Sequence, residues 1–281
     1  YPPDEPVRGL LSKAYARARL ATMNGERNDS TVKPGDPYPY QDGTNPFAEL
    51  LKRWTVQPAP DTLLPSGGQN SPPRSSMRTD SALRAQFSAG TTSIEAADEA
   101  GWVVSVTPSG GWVPAVIAGH TGVGLSQRAQ SFVTRPEDGP YNVIEPGKRP
   151  RVTLSPTLAL KDGAPYLAFG VQGGDIQDQV LLQFFLDIVE FGMTPQQAAE
   201  APNIVSFQMR SSFGVHESQP GAMLANASLP DSVRGRLEAM GYTLRLRTKT
   251  SGPINGILFD REHGTMWGAS SNYEEDYGIP W

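Results

Sequence analysis

Residues 87–107 read FSAGTTSIEAADEAGWVVSVT, and the reading of the fold turns on the two threonines near its start. Upstream, from Thr55 to Gly90, the chain carries QPAPDTLLPSGGQNSPPRSSMRTDS, a composition that buries too little apolar surface to fold by itself. It reads as a mobile connector. Downstream, SIEAA, a DEAG turn and WVVSVT make a strand hairpin. The plain interpretation is that a linker ends and a domain begins. The sharper one is that Thr91 is meant to become a chain terminus.

The chemistry favours asking about the sharper one. A threonine hydroxyl is a weak nucleophile until a base lies beside it. An α-amine has a pKa of roughly 7.7–8.0, so a terminal threonine carries a near-neutral base on its own backbone. If the Thr91 hydroxyl attacks the Gly90 carbonyl, an N→O acyl shift gives an ester that water opens. Glycine before the cut leaves the attack uncrowded and tolerates a strained backbone. The spacing alone does not decide, because adjacent threonines are common in strands.

The remaining chain alternates in the same manner. Ser12 is placed to cap a helix over SKAYARARLATMN that stops at Asn24-Gly25. Residues Phe47 to Trp54 suggest a second, short helix. TLSPTLAL, KDGAP and YLAFGV make a further hairpin. In GGDIQDQVLLQFFLDIVEFG, Ile176, Val180, Leu181, Phe184 and Ile188 follow the helical period, with Gly192 at the stop. Helices are expected after Thr194-Pro195 and from Pro230 to Met240. YTLRLRT, NGILFD and TMWGAS supply more strands, the last two joined across REHG. Antiparallel hairpins interleaved with helices predict an α+β layered fold.

At 281 residues the chain suits one large domain or two small ones. Lys and Arg number 24 against 29 Asp and Glu, a net charge of −5 with no basic cluster, which argues against nucleic acid as a partner. There is no cysteine, so disulfides, thiolate metal sites and Cys nucleophiles are excluded together. Cytoplasmic and periplasmic or secreted locations are both compatible. The longest apolar run, Val180 to Val189, is broken by Gln183 and Asp187 and is too short to span a bilayer. The start, YPPDEP, has no basic or apolar leader pattern. The sequence lacks GxSxG, P-loop and HExxH motifs. His120, His216 and His263 stand alone, which predicts surface or hydrogen-bonded roles rather than a metal site, and no cofactor is expected. The acidic NYEEDYG tail reads as a solvated face.

Gly173-Gly174 precedes the long helix, where backbone N–H groups and the helix dipole favour an oxyanion. Taken alone, the pair reads better as a tight strand-to-helix turn needing positive φ.

In combination these pieces resemble a known family. From Thr91 to Trp281 the chain resembles the small catalytic chain of the γ-glutamyltransferase (glutathione hydrolase) family of N-terminal nucleophile hydrolases. The resemblance is carried by TTS with Asp98 and Gly101, VSVT at Val104–Thr107, PGKRP at Pro146–Pro150 and LSPT at Leu154–Thr157. GVQGG at Gly170–Gly174, EAP at Glu200–Pro202 and GAS at Gly268–Ser270 complete it. GLLSKAYARAR at residues 9–19 and VKPGDPYPY at residues 32–40 resemble the end of the large chain. The implied organisation is a large-chain tail over 1–54, a connector over 55–90 and the catalytic chain over 91–281. The implied fold is an αββα four-layer sandwich that this chain supplies only in part.

The resemblance implies a precursor cut before Thr91 into two chains that stay associated, with a small-molecule amide as substrate. Thr91 is then the nucleophile, Ser109 the hydroxyl that bonds it, and Gly173 and Gly174 the oxyanion hole. The substrate-side positions depart from the family pattern. Ser93 stands for a histidine and Gly111 for an asparagine. Arg128 and Ser131 stand for the glutamine and aspartate that read the γ-glutamyl ammonium, and Val152 and Thr153 for a pair of serines. The alternatives are an acylase or amidase for a non-glutamyl amide, such as a β-lactam side chain, and an uncleaved binding subunit without activity.

Overall fold

The computed structural model of the protein describes residues 5–29, 33–52, 91–109, 116–213, 216–273 and 276–279. The connector over 55–90 and Gly111 lie outside the described residues. The described residues of the N-terminal part include the short α-helices α1 (Val7–Leu10), α2 (Lys13–Leu20) and α3 (Ala48–Lys52). Ser12 caps α2 as expected, its hydroxyl accepting from the Tyr15 N–H at 3.0 Å.

After Thr91 a hairpin forms from β1 (Ile94–Ala97) and β2 (Val103–Val106), followed by the short pair β3 (Val116–Ile117) and β4 (Gly124–Leu125). The central sheet comprises β5 (Thr157–Lys161), β6 (Ala164–Val171), β10 (Ile254–Asp260) and β11 (Thr265–Ser270), all antiparallel in the order β11-β10-β6-β5. Against one face lies α4 (Gln177–Val189), in which the predicted apolar positions Val180, Leu181, Phe184 and Ile188 are buried, as is Ile176 just before it. The Phe184 and Phe169 rings are tilted to each other with centroids 5.5 Å apart, and a Cβ at Gly256 would sit 2.9 Å from Phe184. Glycine there is what lets the helix close on the sheet.

The β1–β2 hairpin lies against the opposite face, reaching β6 and β10. A Cβ at Gly170 would meet Glu95 Oε1 at 2.4 Å and Ser93 Cβ at 2.9 Å, so this glycine sets how near the hairpin comes. The inward residues are polar: Ser105 donates to Glu95 at 3.1 Å, and Asn255 donates to Ser93 at 3.4 Å. Ile94, Val104 and Val106 face outward and are exposed, as are Leu158 and Leu160 on β5. The arrangement is an α+β fold with helix, sheet and hairpin layered in that order.

Burial raises the Glu95 carboxyl to about 7, with Asp276 adding repulsion and the two serines opposing. A folded pKa above the unfolded one means the folded protein holds a proton that the unfolded chain releases. Glu95 therefore contributes stability that is complete below about 4.5 and is lost as pH rises through 7, a change of up to about 3 kcal/mol. Denaturation midpoints at pH 5 and pH 8 should show Glu95→Gln gaining on the wild type at the higher pH. A difference between the two proteins that does not change with pH contradicts this.

A second sheet contains β7 (Ile204–Ser206), β8 (Ala222–Asn226) and β9 (Thr243–Arg247). β8 and β9 are parallel, joined through α6 (Asp231–Ala239), an arrangement the hairpin pattern does not predict. AMLAN in β8 is buried at every position and so shows no alternation. The edge strand β7 is covered by side chains of α4. Gln183 exchanges bonds of 2.8 and 2.9 Å with the Ile204 backbone, and Gln179 does the same with Ser206 at 3.2 and 2.8 Å. The helix α5 (Pro195–Glu200) starts at a Thr194–Gln197 capping box.

In the C-terminal tail, Tyr273 and Asp276 correct the sequence reading, while Glu274 and Glu275 lie outside the described residues. Tyr273 is buried, and Asp276 accepts from Ser271 at 3.0 Å while burial raises its carboxyl pKa. A short acidic string looks solvated in sequence, but its first tyrosine, Tyr273, is drawn into the fold, while Tyr277 stays exposed. Of the histidines, His216 bridges the Ser211 and Phe132 carbonyls at 3.0 and 3.1 Å, and His263 lies 2.8 Å from Asp260. His120 is exposed.

Candidate active site

Thr91 lies three residues before β1 and is 6% exposed. It forms an isolated antiparallel bridge with Ser109, beside a bond from the Thr92 N–H to the Pro108 carbonyl at 3.2 Å. The bridge brings the two hydroxyls together: Thr91 Oγ1 and Ser109 Oγ are 2.8 Å apart. Eighteen positions separate them in sequence, and the β1–β2 hairpin returns the chain between them.

Ser109 has a second partner that the sequence does not reveal. The Arg128 guanidinium donates from Nη2 to Ser109 Oγ. Arg128 lies in the 3₁₀ turn Gln127–Ser131, which Ser126 caps through the Arg128 N–H at 3.1 Å. Its guanidinium also lies over the Phe213 ring, 5.3 Å from the centroid. Burial lowers the Arg128 pKa, and the Asp175 charge opposes that shift.

Phe213 links this cluster to the glycine pair. Gly173 has φ 140° and Gly174 φ 61°, conformations that glycine adopts freely and other residues rarely do. A Cβ at Gly174 would lie 3.1 Å from the Phe213 ring. Asp175 fastens the same corner, accepting from the Ser212 N–H at 2.7 Å, Ser212 Oγ at 2.5 Å and Ser211 Oγ at 3.2 Å. Arg151 Nη2 stands 3.6 Å from Asp175. Thr91, Ser109, Arg128, Phe213 and Gly174 are thus joined contact by contact.

The other predicted residues fall around this chain of contacts. Ser131 is 1% exposed, and its Oγ has no hydrogen-bond partner among the described residues. The buried Thr153 Oγ1 also lacks one. Val152 is 62% exposed. Phe213, Ser211 and Ser212 were not anticipated, because nothing in the string RSSFG distinguishes them from a surface loop. Among the described residues no group of His, Asp and Glu could hold a metal ion. No helix among them is long and apolar enough to cross a membrane.

Comparison with known proteins gives a family match over residues 3–281, to the model described as gamma-glutamyltranspeptidase. A glutathione hydrolase proenzyme of Bacillus subtilis subsp. natto is 27% identical over 276 residues, 98% of this chain and 40% of the relative. The chain therefore spans about two fifths of the length of this curated relative. The solved structure of LmbA2991T421A is 26% identical with a TM-score of 0.74, covering 100% of this chain and 45% of its own. The highly active W525D mutant of the gamma-glutamyltranspeptidase from Pseudomonas nitroreducens is 25% identical with a TM-score of 0.55. That match covers 68% of this chain and 99% of its own.

Proposed function

The chain belongs to the gamma-glutamyltranspeptidase family, and on that premise we propose that it carries the catalytic centre of an amide hydrolase and acyltransferase whose nucleophile is Thr91. The observation that carries the proposal is the 2.8 Å pairing of the Thr91 and Ser109 hydroxyls at a buried bridge. Division between Gly90 and Thr91 frees the α-amine. That amine takes the Oγ1 proton as Oγ1 bonds to the substrate carbonyl carbon. The Gly173 and Gly174 N–H groups receive the resulting oxyanion. As the C–N bond breaks, the proton passes to the leaving amine and an ester on Thr91 remains. Water or an acceptor amine then takes the acyl group by the same steps reversed.

Two observations support division into chains. The Pseudomonas nitroreducens chain matches 68% of this one at almost its full length, and the 191 residues from Thr91 to Trp281 make up the same share. The Bacillus relative is described as a proenzyme. The outward apolar residues Ile94, Val104, Val106, Leu158 and Leu160 are the surface on which a large chain would pack, completing an αββα sandwich.

The test uses the full-length protein quenched with acid during turnover of an acyl anilide. A mass increase equal to the acyl group, mapped to the peptide beginning at Thr91, is expected. Steady turnover with the adduct on another residue would overturn the assignment.

A further inference from the structure

Resting on the hydrolase reading above, we propose that the acyl group this site selects carries a carboxylate and no ammonium, and that Arg128 reads it. The guanidinium is two hydrogen bonds from the nucleophile, through Ser109. It forms no ion pair among the described residues, and its buried Nε has no hydrogen-bond partner among them. The carboxylate that acts on it, Asp175, is already occupied by Ser211, Ser212 and Arg151. A half-buried cation with a buried, unfilled donor is best completed by an anion. Guanidinium and carboxylate fit each other as paired donors and acceptors, and the bonds are charge-assisted.

The neighbours narrow the ligand further. In a 3₁₀ turn, side chains three apart eclipse, so Ser131 projects on the same side as Arg128. Its buried, unpartnered hydroxyl supplies a second polar contact without charge. Phe213 covers the guanidinium with an aromatic face, shielding it and leaving its edge for the ligand. Among the described residues the carboxylate that acts on Arg128, Asp175, is taken up by Ser211, Ser212 and Arg151, and Arg128 itself repels an ammonium. Because the cation is so near Thr91, the two ends of the acyl group must be close: a short dicarboxylic acid joined to an amine through one end.

The experiment compares kcat/KM of the full-length, divided protein on three p-nitroanilides: glutaryl, γ-glutamyl and pentanoyl. The first two differ by the ammonium, and the first and third by the carboxylate. Glutaryl should exceed each of the others by about tenfold or more, and Arg128→Gln should bring the glutaryl-to-pentanoyl ratio near one. A smaller preference for glutaryl over pentanoyl, or equal or better use of γ-glutamyl, overturns the proposal while leaving the hydrolase reading intact. Absence of turnover on all three by protein with a free Thr91 terminus would overturn both. The wild-type comparisons hold whether or not the variant folds.

Discussion

Thr91→Ala should leave the protein as one undivided chain with no measurable amide turnover. Alanine removes Oγ1, the atom proposed both to cut the precursor and to accept the acyl group, and nothing nearby replaces it. Ser109 Oγ is 2.8 Å away, but a serine within the chain has no α-amine of its own to take its proton. Loss of a hydrolase nucleophile costs on the order of 10⁴-fold or more in kcat. Thr91→Ser should retain division and partial turnover, because the hydroxyl and the future amine both persist. Thr92→Ala should leave division at least partly intact. Gel mobility and anilide release on the three variants check this. Division or full-rate turnover in Thr91→Ala would remove the residue from the mechanism.

Gly174→Val is expected to have the next largest effect. Gly174 holds φ 61°, where a β-branched residue is strained, and its new Cβ would press on Phe213 at 3.1 Å. Both changes turn the N–H groups proposed to face the developing oxyanion. A lost oxyanion donor costs on the order of 10²–10³ in kcat, so kcat should fall far more than KM rises. Phe213 also covers Arg128, and glutaryl selectivity should fall in parallel. A variant that melts like the wild type and turns over at its rate would reduce the pair to a structural turn.

What could be read from the sequence was what local pattern records. The α4 face, the Ser12 and Thr194 caps and the principal hairpins follow from periodicity and turn chemistry, and the structure contains them. β8 escaped because a strand buried on both faces has no alternation, and AMLAN lacks β-branched residues. The hairpin reads as apolar outside and polar inside, a reversal that alternation alone cannot orient.

The site divides in the same way. Thr91, Ser109 and the glycine pair could be proposed from the sequence because motif and chemistry coincide at those positions. The cluster around Arg128 was not, since it depends on Phe213 arriving from 85 positions away in the chain. Asp175 sits in plain view in the turn just before α4, but its grip on Ser211 and Ser212 comes from tertiary packing.

The most direct test of the central claim is the intact mass and N-terminal sequence of the purified full-length protein. Two associated chains are expected, the smaller beginning Thr-Thr-Ser-Ile-Glu at Thr91. An active protein that remains a single chain, or one divided at another bond, would contradict the claim that Thr91 is a terminal nucleophile.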